Sequence, residues 1–212
     1  MRIIPWPAAM LLVVLLLTGC QSAKVATPSE NVAALTTRNN CYSLLYQLLD
    51  EEKDVSLLRF IKSEPPDVKK LINKIADQSA TGAAMLKKFA KEDPGIKLDE
   101  IQLPPGEVST RDAIAATKKK DLLGAHGDAF TLTLLLTQTE ALNYGWHLAQ
   151  VTEENEPNHE RASALAGLSG NLQNLYQETF SLLLSKMKSS ATNSTSASAI
   201  NRLIVRSAIQ AR

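Results

Sequence analysis

Residues 128–154 read DAFTLTLLLTQTEALNYGWHLAQVTEE. Within them Leu132, Leu135, Thr139, Leu142, Trp146 and Ala149 recur at three- and four-residue intervals, the repeat of one face of an α-helix. Phe130, Leu134, Ala141 and Leu148 widen that stripe until apolar side chains cover more than half of the circumference. A helix so broadly apolar needs neighbours on two sides. The rest of the chain supplies them.

Upstream, a helix is expected from Asn39 or Asn40 to about Ser63. Leu44, Leu48, Val55, Leu58 and Ile61 or Lys62 mark its core-facing stripe, and Glu51 falls on the same stripe. Glu64-Pro65-Pro66 stops it, because a residue before proline avoids the α region. A second helix follows from Pro66 or Asp67 to Glu92, with Val68, Ile72, Ile75, Ser79, Gly82, Leu86 and Phe89 on one face. Ser79, Gly82 and Ala83 are small enough to let a neighbouring helix come close. Downstream, the last long helix is expected from Asn158 to Lys188. Its stripe is Leu165, Leu168, Leu172, Leu175, Thr179 and Leu182, flanked by Tyr176, Phe180, Leu183 and Met187.

Between the second and third long helices lies a proline-containing connection, residues 95–106 (GIKLDEIQLPPG), read as extended. A short helix then starts at Ser109 and runs through Ile114 and the triplet Lys118-Lys119-Lys120, before a kink at Gly124-Ala125-His126-Gly127. No run of residues reads as a strand. The pattern predicts an all-α protein, a four-helix bundle with a long crossover between the second and third long helices.

The chain ends carry different information. Arg2 precedes a ten-residue apolar run, Ala8 to Leu17, which has the length of a signal-peptide core and is too short to span a bilayer as a helix. The run Leu17-Thr18-Gly19-Cys20 resembles a bacterial lipobox. That resemblance implies removal of residues 1–19 as a lipoprotein signal peptide and lipidation of Cys20 through its thiol. Several acyl chains would then hold the protein on a membrane. Gln21, in place of the aspartate that tends to retain lipoproteins at the inner membrane, favours the outer membrane facing the periplasm in a Gram-negative host. Residues 20–38 read as the lipidated N-terminus and a tether, 39–188 as the helical bundle, and 189–212 as a low-complexity tail. That tail, SSATNSTSAS followed by INRLIVRSAIQAR over 200–212, reads as disordered and then as a short basic amphipathic segment. The segment either docks on the bundle or folds on a partner or membrane surface.

Lys and Arg number 23 against 22 Asp and Glu, so no basic field exists to attract nucleic acid, and none is expected as a partner. With Cys20 lipidated, Cys41 is the one remaining thiol, and its apolar helical neighbours predict burial. No serine sits on a nucleophile elbow, and no glycine loop is built to cradle phosphate. No catalytic residue is assigned.

In helix count, crossover position and Glu51, the chain resembles the ferritin-like proteins. Through Leu132–Val151 and onward to Leu183 it is also similar to exported bacterial bundles of that shape. The resemblance implies a metal site between the helices, built from core carboxylates and a Glu-x-x-His pair. No glutamate here has a histidine three residues on. Glu140 and His147 lie seven apart, about 10 Å along the helix axis. Glu51, Glu140 and His147 are therefore the candidate metal ligands of an alternative reading, with no metal or cofactor in the principal one. That principal reading is a non-enzymatic, lipid-anchored cell-envelope bundle that binds another envelope protein. The alternatives are a ferritin-like metal-binding protein or oxidoreductase, and a carrier of an apolar ligand near Trp146.

Overall fold

A computed structural model describes residues 28–60 and 63–210, with side chains over 32–57 and 63–192. Cys20 and the leader lie outside the described residues. Regular structure among those residues is entirely helical, which makes the protein all-α. The elements are α1 (Pro28–Glu52), a 3-10 segment (Val55–Phe60), α2 (Pro66–Glu92), α3 (Pro105–Gly124), α4 (Gly127–Glu154) and α5 (His159–Gln210).

Local chemistry explains the boundaries. α2 and α3 each place proline in the first turn, where its missing N–H costs no intrahelical bond. Asp67 adds an acidic group at the start of α2, favourable beside the exposed N–H groups there. α4 opens at Gly127, whose φ of +54° lies in the left-handed region that glycine enters without steric cost.

Cross-helix contacts give the directions. Tyr42 meets Glu156, Leu48 approaches Gly145 and Glu52 meets Gln138, so α1 and α4 are antiparallel. Asp93 meets Arg161, Gly82 approaches Leu168 and Lys74 meets Glu178, so α2 and α5 are antiparallel. Ser169 donates to the Trp146 carbonyl and Ser190 to Asp128, which sets α4 antiparallel to α5. The closest approach is at Gly82, where a Cβ would stand 2.9 Å from Leu49 Cδ1 and 3.1 Å from Leu168 Cδ1. Absence of a side chain at that point lets α1, α2 and α5 meet. Gly145 does the same for α4 against Leu48 and Leu172.

One continuous core results, with Tyr42, Leu45, Leu49, Leu71, Ile72, Ile75, Leu86, Phe130, Leu134, Leu135, Leu165 and Leu172 almost wholly buried. Cys41 is buried too, as its neighbours predict, and burial raises its thiol pKa.

Four expectations need adjusting. α1 starts at Pro28, well before Asn39, so helix occupies much of the stretch read as a tether, and it ends at Glu52 rather than near Ser63, with the 3-10 segment following. Its buried phase is Tyr42–Leu45–Leu49; Leu44 and Leu48 are half-buried flanks of that stripe, while Leu58 and Ile61 fall outside the described side chains. α3 begins at Pro105, shortening the extended connection. α5 continues helically through the serine-rich segment to Gln210, 52 residues and about 78 Å in all. Where side chains are described, Ser189 and Thr192 return their hydroxyl protons to carbonyls three or four residues back, so these polar groups are satisfied within the helix.

Candidate functional site

Two polar clusters lie inside the helical assembly. The first joins the C-terminal end of α2, the middle of α1 and the α4–α5 turn. Glu156 sits in that turn with its side chain fully covered. Its Oε2 accepts a bond from the Tyr42 hydroxyl at 2.6 Å. Its Oε1 accepts from Arg161 Nη2 at 2.7 Å and from the Asn158 backbone N–H at 2.9 Å. Arg161 Nη2 also donates to Asp93 Oδ2 at 3.0 Å, and Arg38 lies 3.9 Å from the same oxygen. Two cations, two anions and a phenol are thus gathered where water is scarce. Burial and the bond to Glu156 push the Tyr42 pKa far up, so this hydroxyl stays a donor. Alongside, Asn40 and Gln102 exchange two hydrogen bonds and Ser43 donates to the Lys97 carbonyl, pinning the segment after α2 onto α1.

The second cluster is smaller. Gln138 on α4 is buried and donates from Nε2 to Glu52 Oε2 at 2.8 Å, while its own Oε1 has no protein partner. Loss of solvation around Glu52 raises its pKa, against the bond from Gln138; Glu51 adds to the rise and Lys118 opposes it. A carboxyl raised in the fold contributes stability that is complete below its unfolded pKa and is lost as pH rises through the folded value. Glu52→Gln removes that loss and gives Gln138 Oε1 an amide donor. The variant is expected to be more stable than the native protein at pH 8, with a gap that closes toward pH 4 in urea-unfolding curves. A gap independent of pH would contradict this account.

The three candidate metal ligands are placed differently. Glu51 is exposed and accepts a bond from Gln47 one turn earlier on α1. Glu140 is exposed on α4 and paired with Lys118 of α3. His147 is exposed, its Nδ1 2.8 Å from the Asn143 carbonyl. They do not converge, and among the described residues no group of three or more His, Cys, Asp or Glu side chains is arranged to hold an ion. Of the adjacent pair Glu51 and Glu52 on α1, the one that reaches α4 is Glu52, one residue from the one singled out in the sequence. A shift of one residue rotates a helical side chain by about 100°, enough to exchange surface for interior.

The described clefts are open. One of about 390 Å³ runs between Lys74–Thr81 of α2 and Asn171–Leu175 of α5; another of about 580 Å³ lies between residues 63–65 and 126–131. Among the described residues no helix is long and apolar enough to cross a membrane. An uncovered apolar feature lies on the α4–α5 hairpin. Tyr176, Phe180, Leu184 and Met187 follow helical spacing along α5, and the last three are between 42% and 51% exposed. The Tyr176 and Phe180 rings stack with centroids 6.1 Å apart. From the two hairpin contacts, Ser169 to Trp146 and Ser190 to Asp128, exposed Leu136 of α4 stands level with Phe180.

Comparison of the chain with protein-family models, curated proteins and solved structures finds no match.

Proposed function

We propose that the chain is a lipid-anchored protein of the cell envelope. In this reading α1, α2, α4 and α5 form a four-helix bundle, residues 93–126 are the crossover, and the bundle serves as a non-enzymatic module that binds another envelope protein. Support for the bundle comes from the directions of the helices. α1 and α5 run one way, α2 and α4 the other, and α2 and α4 can be joined only by a segment that travels the length of the assembly.

The anchor rests on Leu17-Thr18-Gly19-Cys20, and the helix directions fit it. α1 begins, at Pro28, at the end of the bundle that also carries the α4–α5 turn. α5 leaves from that end and passes the start of α4 at the other, so its last residues point away from a membrane holding Cys20. Segment 200–212 is therefore suited to meet something distant from the anchoring membrane. The observation that carries the interaction reading is the exposed run of Phe180, Leu184 and Met187 along α5, with exposed Leu136 of α4 at the level of Phe180. Aliphatic and aromatic surface of that kind on a water-facing domain marks a contact site, and its chemistry calls for an apolar protein surface.

Full-length protein made in a bacterial host with an alkyne-bearing palmitate analogue is expected to take up the label, and Cys20→Ser to lose it. Unlabelled native protein, or label retained in Cys20→Ser, would remove the anchor from this proposal. For the partner, a photo-crosslinking residue at position 184 is expected to form one discrete adduct that Phe180→Glu abolishes. The same residue at exposed position 70 on α2 should form none.

A further inference from the structure

α3 is held differently from its neighbours. None of its residues is buried, and Val108 and Ile114 are turned to solvent, 39% and 49% exposed. By contrast, α2 and α4 each place ten or more residues in the interior. The polar ties of α3 fall on one strip of α4. Lys118 Nζ pairs with the Glu140 carboxylate, and the Arg111 guanidinium lies over the Tyr144 ring, 5.1 Å from its centroid. Glu107 holds Arg111 in place from one turn earlier, at 2.8 Å. Glu140 and Tyr144 are successive positions on a single helical face, so two cations of α3 grip one edge of α4. Leu122, at the far end, is half-buried against the core. Exposed ion pairs and exposed cation–π contacts are individually weak and are screened by salt.

The two ends of α3 differ: proline fixes φ at the first, and glycine leaves it free at the second. Pro104-Pro105 precedes it, and Gly127 with its positive φ follows it. Beside the gripped edge lies the Glu52–Gln138 pair, on which Lys118 already acts.

We propose that α3 is an electrostatically clasped arm. It lifts off α4 as an intact helix when its two cationic grips are screened or reversed, and it admits water to Glu52 and the unpartnered Gln138 carbonyl as it leaves. The other charged groups facing this edge are Glu51 from α1 and Glu140 from α4, so opening leaves Glu51, Glu52 and Glu140 without a lysine. That cost favours the closed arm while Lys118 is present; a glutamate at position 118 would face the same carboxylates and favour the open arm, most strongly at low counter-ion screening.

Nitroxide labels at Ala116→Cys on α3 and Asn143→Cys on α4 report the opening in a full chain carrying Cys20→Ser, because the remaining native thiol, Cys41, is buried and does not compete for label. A single short distance is expected at low salt. In 1 M NaCl a longer distance should gain population several-fold, and Lys118→Glu should do the same without added salt. The reversed pair Lys118→Glu with Glu140→Lys should restore the short distance. Amide exchange measured within α3 should stay slow throughout. An unchanged distance under salt and Lys118→Glu would overturn the proposal, as would failure of the reversed pair to restore it. Fast amide exchange across α3 in the long-distance state would overturn it too, since that is unfolding and not the lifting of an intact helix.

Discussion

Arg161→Ala is expected to lower the unfolding free energy by about 3–5 kcal/mol, the usual result of removing one partner from a buried ion pair. Glu156 would keep its Tyr42 and Asn158 bonds but would lose its cation while its side chain remained fully covered. Asp93, which Arg161 also bonds, would retain the more distant Arg38 at 3.9 Å. Urea titration at neutral pH measures the change. In a Glu156→Gln background the same substitution should cost clearly less, because no buried negative charge is left behind. Equal costs in the two backgrounds would show that Arg161 acts through packing alone.

The same cluster sets an acid limit. Burial tends to raise the Glu156 pKa, but the bonds from Arg161, Tyr42 and the Asn158 backbone together outweigh it and hold the carboxyl below its ordinary value. A depressed carboxyl stabilises the fold above its unfolded pKa, and that contribution is lost as pH falls through the folded value. The acid limb of the native stability profile should therefore be steeper than that of Glu156→Gln. The Glu52 cluster has the opposite sign, so the two carboxyls favour the fold from opposite sides of the pH scale.

The second large effect separates two neighbours in the triplet Leu134-Leu135-Leu136. Leu135 is fully buried, whereas Leu136 is 51% exposed. Leu135→Ala should cost about 2–5 kcal/mol, combining lost apolar burial with the cavity left behind. Leu136→Ala should change stability by no more than about 0.5 kcal/mol, as exposed substitutions do. If the strip on α4 and α5 is a contact surface, the Leu136 variant should lose the position-184 crosslink while keeping native urea stability. A large stability loss at Leu136, or an unaltered crosslink, would place the partner surface elsewhere.

Much of the architecture was legible because it is local. The stripe of α2 and its bounds at Pro66 and Glu92 follow from helical period and proline chemistry, and the structure places both there. Leu135, Leu142 and Ala149 face inward on α4 as their spacing predicts, and Cys41 is buried among apolar neighbours. Small residues at Ser79, Gly82 and Ala83 correctly marked a close approach, since a missing side chain is a local property with a packing consequence. The all-helical class follows from the same signals.

Phase and partnership depended on the tertiary structure. α1 contacts α2 and α4 on different sides, so its apolar residues spread round the helix and leave the buried phase ambiguous within one residue. That ambiguity is the difference between Glu51 in solvent and Glu52 against Gln138. Tyr42 and Glu156 are 114 residues apart, and no spacing rule joins them. α3 carries Val108 and Ile114 at helical intervals, yet they face water, because the edge of α4 beneath it offers Glu140 and Tyr144 to cations. By itself the sequence determined the all-helical class, the bounds of α2 and which end bears the lipobox-like cysteine. Which charges are buried together, and which helix is only clasped to the others, was decided by three-dimensional packing, because those energies arise between residues distant in the chain.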